Sequence, residues 1–246
     1  MALLAAFPAL AQNYSFAIPR AVMEVWVNPD ASVRIEYNLT FRCNPGAHPI
    51  DVVDVGMPTG DYELDKVKAA LDGKPQTDIR HSEYVHPGVE VHLSPSISAG
   101  EEAMLTVEFT IPNLVFQDTT NKENASFRIT PTWYDAKFLT GTTELGVLVY
   151  LPKDINPDEV LYQGQKVFTT KGQIGNKTVV GWLFSQARLD AAHLVGLSFP
   201  KRVMERVVRM TLLGLAWKWW LENDETRVFV GFLLVLATGI FFFRWT

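Results

Sequence analysis

The sequence predicts a mainly β protein, an antiparallel β-sandwich or two in tandem, and three observations predict it. Apolar and polar residues alternate with period two through several segments, and turn residues separate those segments at short intervals. The chain has 246 residues, 48% hydrophobic and 20% charged, enough apolar side chain to bury a sizeable core. One cysteine excludes a disulfide-stapled scaffold. A long apolar strip near the C-terminus adds the expectation of one transmembrane helix.

Residues 1–11 form a short apolar run ending in Ala9, Leu10 and Ala11, the small-x-small pattern that signal peptidase accepts. They predict a secretory signal cut before Gln12, although the usual basic n-region is missing and an ordinary apolar segment is the alternative. A new N-terminus at Gln12 rather than at cysteine excludes lipid attachment there.

Residues 12–200 read as strands and turns. Residues 33–41 are the clearest strand: Val33, Ile35, Tyr37, Leu39 and Phe41 are apolar, with Arg34, Glu36, Asn38 and Thr40 between them. One face is then buried and the other wet. The same alternation predicts strands at 89–93, 103–111 and 145–151, and residues 21–27 precede the first strand across the turn Asn28-Pro29-Asp30. Asp72-Gly73 supplies the positive φ pair of a tight hairpin. Further turns are predicted at Asn44-Pro45-Gly46, Ser98-Ala99-Gly100, Asn156-Pro157-Asp158 and residues 172–176. The polar connection 112–125 suggests a division near Asn121, with 12–120 as a first half and 121–200 as a second. One large sandwich carrying a long loop is the alternative.

The hairpin running from Met23 through Trp26, Asn28-Pro29-Asp30 and Val33 to Tyr37 resembles the first hairpin of a class of bacterial membrane proteins of unknown function. The resemblance covers about the first fifty residues and the overall layout. It implies a signal peptide, a strand-rich ectodomain and a later transmembrane helix. No catalytic residue comes with it.

Residues 201–225 combine Glu205, Arg206 and Arg209 with Trp217, Trp219 and Trp220 around Lys218. Those charges oppose a full span and the tryptophans suit a headgroup boundary, so an amphipathic interfacial stem helix is expected, with packing on the domain as the alternative. Within 226–246, the strip 228–243 is uncharged between Arg227 and Arg244. Its sixteen residues would rise about 24 Å as a helix, and snorkelling arginines with Trp245 at the interface bring that close to the hydrocarbon core of about 30 Å.

Charge is unevenly placed. Residues 12–199 carry 15 Lys and Arg against 23 Asp and Glu, whereas 200–246 carry 7 against 4, which makes nucleic acid an unsuitable partner. Arg209, Lys218 and Arg227 precede the span and Arg244 follows it, a bias that alone would hold the domain in the cytoplasm. The signal-like N-terminus dictates the opposite, and a translocated domain follows its signal. The expected location is therefore the cell membrane, single-pass, with the large domain extracytoplasmic. Sequons at Asn13, Asn38, Asn124 and Asn176 fit that side in a host that glycosylates.

Two clusters hold candidate chemistry. His81, His86 and His92 are zinc-ligand types on adjacent hairpin strands, although their spacing matches no established metal motif. Trp133, Tyr134 and Asp135 form an aromatic patch beside a carboxylate, suited to stacking on a sugar ring or anchoring a partner, or else to plugging a sandwich corner. Trp182 reads as core. Cys43 continues the buried register of its strand, and its nearness to His48 permits a thiol–imidazole pair. No nucleophile elbow, P-loop or dinucleotide fingerprint is present, and no cofactor is expected.

The expected function is therefore non-enzymatic: a membrane-anchored ectodomain working by protein contact within a membrane or envelope complex, with lipid, neighbouring membrane proteins or further copies of itself as partners. A carbohydrate- or cell-wall-binding module using Trp133 and Tyr134 is the alternative. A metal-dependent hydrolase using His81, His86 and His92 comes third.

Overall fold

A computed structural model describes residues 13–164 and 166–209, and these form a mainly β protein. In chain order the first eight strands are β1 (Phe16–Val27), β2 (Val33–Cys43), β3 (Ile50–Gly56), β4 (Lys68–Leu71), β5 (Lys74–Gln76), β6 (Ile79–His81), β7 (Gly88–Ile97) and β8 (Glu102–Ile111). The others are β9 (Phe116–Gln117), β10 (Asn124–Ile129), β11 (Leu139–Thr140), β12 (Thr143–Lys153), β13 (Leu161–Tyr162), β14 (Thr170–Ile174), β15 (Lys177–Ala187) and β16 (Val195–Pro200).

Nine of them make one sheet in the order β14-β15-β12-β1-β2-β8-β4-β5, with β11 also on β1. Its register follows from the alternation in sequence. Val33, Ile35, Tyr37 and Leu39 of β2 face Ile111, Phe109, Val107 and Leu105 of β8. On the other side they face Val27, Val25, Met23 and Ala21 of β1. All of these side chains are buried, and a slip by one residue would turn each of them to solvent. The ladder on β1 shifts between Ala17 and Arg20, where Pro19 has no N–H to contribute. Asp72 and Gly73 adopt φ values of 47° and 77° and join β4 to β5 as the predicted hairpin.

Two smaller sheets complete the core. The order β13-β16-β10-β9 makes a four-stranded sheet, and β3-β7-β6 makes a three-stranded one. Val53 and Val55 of β3 and Val89 and Val91 of β7 point into the same hydrophobic core as the large sheet. The opposite parity, Val52, Asp54, Glu90 and His92, therefore faces outward, and this face is the floor on which the candidate site is built.

The division expected near Asn121 does not separate two bodies. Strand β1 from the first half runs parallel to β12 from the second over seven residue pairs, and residues up to Val208 form one compact unit. The polar connection is pinned at Asp118, which accepts hydrogen bonds from Thr120 N at 2.8 Å, Thr120 Oγ1 at 2.7 Å and Gln163 Nε2 at 2.8 Å.

The expected stem helix also starts differently. Residues Lys201–Val203 make a single 3-10 turn, and Val208 then bridges Phe116 in parallel, its N–H donating to Val115 O at 2.8 Å. Extended chain wins here because Val207 and Val208 pack against the core while Glu205 N–H is taken by Pro29 O at 2.9 Å. Among the described residues no helix is long and apolar enough to cross a membrane. The signal expected at 1–11, the rest of the stem, the span at 226–246 and Trp217, Trp219, Trp220, Arg227, Arg244 and Trp245 lie outside the described residues.

Candidate functional site

The outward face of the three-stranded sheet lies at the bottom of a groove of about 1240 Å³. Cross-strand pairing aligns Asp54 with Glu90 and Glu90 with Arg80, so one row of charged side chains crosses the floor. His92 Nε2 contacts Glu90 Oε1 at 2.9 Å, and Arg80 is turned to Asp78 by two bonds of 2.8 and 2.7 Å.

One wall is the turn between β6 and β7. Ser82 is buried, donates its hydroxyl to Asp54 and accepts from the N–H groups of Tyr84 at 3.1 Å and Val85 at 2.8 Å. A Cβ on Gly88 would lie 2.6 Å from Val85 O, so only glycine lets the chain close this turn. The turn lifts Tyr84 out to 82% exposure above the floor.

The other wall is the segment 130–138. Thr132 is buried and its Oγ1 accepts from Gly56 N–H at 3.0 Å, tying this wall to the end of β3. Tyr134 N–H donates to Leu189 O at 2.7 Å, and the Tyr134 ring meets Phe16 and Phe41 edge-on at 5.8 and 5.7 Å. In an extended segment the neighbouring side chain must point the other way, so Trp133 stands 51% exposed in the groove. Asp135 holds Lys137 through its backbone N–H at 2.9 Å and its ammonium at 3.0 Å. Of the two neighbours, Tyr134 is the corner plug and Trp133 is left exposed in the groove.

Burial is the main influence on the Asp54 carboxyl and raises its pKa. The Ser82 hydroxyl pulls it down, Glu90 pushes it up and His92 pulls it down again. Burial likewise pushes the Tyr134 phenol far up, against a weaker pull from the Thr132 side chain. Its hydroxyl and that of Tyr37 are buried without a completed hydrogen bond. At the far end of the groove, Tyr14 donates to Asp51 Oδ1 at 2.6 Å, and burial followed by that bond raises its pKa to about 12.

The three histidines do not converge. His81 pairs with Val89 across the β6–β7 ladder, an odd number of residues from His92, so the two rings fall on opposite faces. The His81 ring meets Tyr62 Oη at 2.9 Å, and His86 bonds to Glu83 O at 3.2 Å. Among the described residues no three His, Cys, Asp or Glu side chains are placed to hold a metal ion. The Cys43 thiol points at the carbonyl of His48, at 3.4 Å, while the His48 ring turns to Pro49 O at 2.8 Å. Burial raises the thiol pKa, and the thiol–imidazole pair does not form. Trp182 is buried, its indole N–H donating to Lys166 O at 3.1 Å.

Trp133 and Tyr84 offer flat faces for stacking, and Asp54, Glu83 and Glu90 offer acceptors to a donor or cation. Asp54, Glu83, Glu90 and Tyr84 carried no sequence signal as a group. Of the two floor carboxylates only Glu90 was marked, by the outward parity of the strand predicted at 89–93 and as an ordinary wet-face residue; the strand that carries Asp54 was not predicted.

No protein-family model matches the chain, and no curated protein matches it. Among solved structures, partial similarity is found to M1 zinc metallopeptidases. An M1 zinc metallopeptidase variant from Deinococcus radiodurans bound to a Tyr-Ser-Ala substrate has a TM-score of 0.49 at 13% identity, over 79% of this chain and 44% of that one. The M1 zinc metallopeptidase from the same organism gives a TM-score of 0.46 at 15% identity over the same shares. A two-domain M1 zinc metallopeptidase variant bound to L-arginine gives 0.47 at 12% identity, over 76% and 43%. The chain spans less than half the length of these enzymes.

Proposed function

We propose that this chain is a non-enzymatic, membrane-anchored, extracytoplasmic β-sandwich that works by protein contact, with the groove as its contact site. The observation that carries the reading is the groove itself, where the exposed Trp133 and Tyr84 rings stand over a floor of sheet carboxylates. Aromatic anchors on a rigid scaffold bury area at small entropic cost, which is how the strongest contacts of protein interfaces are made. The sandwich reading rests on inward faces of separate sheets meeting in one core. The anchor reading rests on the uncharged strip 228–243, with an interfacial helix for the tryptophans before it.

A photo-crosslinking side chain at position 84 tests this in the full-length protein in its native membrane, with one at position 174, exposed in β14 away from the groove, as the control. A discrete protein adduct from position 84, absent at 174 and lost in Trp133→Ala, is expected. Equal adducts from both positions, or none from position 84, would overturn the reading. Carbohydrate binding is the second reading, favoured by the exposure of Trp133 beside the carboxylate of Asp135. Glycan adducts or glycan binding lost in Trp133→Ala would put it first.

A further inference from the structure

The edge of the groove floor points to the form of the partner. Among the described residues strand β3 lies at the end of its sheet, with β7 as its single neighbour. Met57 N–H donates to Pro87 O at 3.0 Å, next to the Gly56–Gly88 pair, and antiparallel pairs alternate between bonded and unbonded. Val53–Val91 and Val55–Val89 are therefore the bonded pairs, and the backbone groups of Val52, Asp54 and Gly56 turn away from β7. Two contacts fit this assignment: Gly56 N–H reaches outward to Thr132 Oγ1, and His92 N–H on β7 reaches to Asp78 O on the β6 side.

By that alternation the N–H and C=O groups of Val52 and Asp54 are not spent on β7, among the described residues they make no backbone bond outside the strand ladders, and both residues line the groove. Proteins commonly cover or blunt such an edge, whereas this one borders a concavity large enough to admit a chain. An extended segment laid there would complete a four-stranded sheet through as many as four main-chain bonds to Val52 and Asp54.

The charges name its side chains. Asp54, Glu83, Glu90, Asp135 and Asp190 line the groove against Arg80 and Lys137. Arg80 is held by Asp78, Lys137 by Asp135 and Asp190 by Arg188, which leaves the carboxylates of Asp54, Glu83 and Glu90. The remaining field is negative and favours a cationic occupant.

We propose that the groove takes an extended polypeptide segment bearing lysine or arginine, added as a strand to the free edge of β3. This rests on the protein-contact reading of the groove and specifies its mode.

The test uses the detergent-solubilised full-length protein and a displayed library of random linear peptides. Selected peptides are expected to be rich in Lys and Arg. Val52→Pro removes one outward N–H without touching a bond to β7, a placement proline tolerates at an edge. It is expected to weaken those peptides about tenfold or more while leaving the melting temperature near that of the parent. N-methylation of the peptide amides one at a time supplies a measurement that does not depend on the variant folding. Loss of binding at alternate positions only is the signature of strand addition.

Peptides that bind in a Trp133-dependent way but are indifferent to both Val52→Pro and N-methylation would overturn strand addition and leave the groove as the contact site. Peptides without basic residues would overturn the cationic assignment. Selection of no peptide at all, with glycans bound instead, would overturn both the strand addition and the protein-contact reading beneath it.

Discussion

Ser82 shows how one buried hydroxyl shapes the groove. It accepts from two backbone N–H groups of the turn and at the same time donates a hydrogen bond to Asp54. Ser82→Ala leaves that carboxylate without its donor and two N–H groups without their acceptor, so a loss of about 2–3 kcal/mol in stability is expected by denaturant titration. The Asp54 carboxyl should also titrate higher than in the parent, because a hydrogen bond that favours the charged form is gone. Carbon-detected NMR of the carboxyl reads this directly, and an unchanged titration would show that Ser82 does not hold Asp54. For a carboxyl already raised by the fold, the stability it contributes is present at low pH and is lost as pH rises through its folded pKa. Ser82→Ala should move that loss to higher pH.

At the level of elements, the long strands were legible because one face of each is buried, and burial is what writes period two into a sequence. Strand β2 carries that alternation without interruption, and the Asp72-Gly73 hairpin was legible from its turn chemistry. The two-residue strands β9, β11 and β13 were not, since two residues have no period to read. The polar connection 112–125 suggested a boundary for a related reason: Asp118 looks like a solvated loop residue until the chain folds it inward. Burial opposes its charge, yet hydrogen bonds from Ser198, the Thr120 hydroxyl and the backbone of Thr120 and Asn121 prevail and hold its pKa near about 2. That value lies below the usual carboxylate range of about 4, so the stability Asp118 supplies is present above about pH 4 and is lost as pH falls toward 2. Asp118→Asn should cost about 2–3 kcal/mol at pH 7 and flatten the acid limb of the stability profile between pH 4 and 2. Identical acid limbs in parent and variant would contradict the assignment.

At the level of the whole molecule, the groove was half legible. Trp133 with Asp135 and the segment holding His86 and His92 each drew attention in the sequence, but as separate sites with different chemistries. The fold makes them facing walls of one concavity and scatters the three histidines. Nothing local could reveal this, because the walls meet only when Gly56 N–H finds Thr132 Oγ1 across 76 positions of chain. One sequon is also recast by the fold: the Asn124 amide is buried and donates to Ser198 Oγ at 3.0 Å, which leaves it no room for a glycan.

The proposed extracytoplasmic placement of the groove can be read directly through thiol chemistry. Cys43 is the sole cysteine and is fully buried, so Trp133→Cys places one accessible thiol in the groove. A membrane-impermeant maleimide should label that variant in intact cells, or once an outer membrane alone is opened, and leave the parent unlabelled. Labelling that begins only when the inner membrane is breached would put the groove in the cytoplasm and overturn the extracytoplasmic proposal.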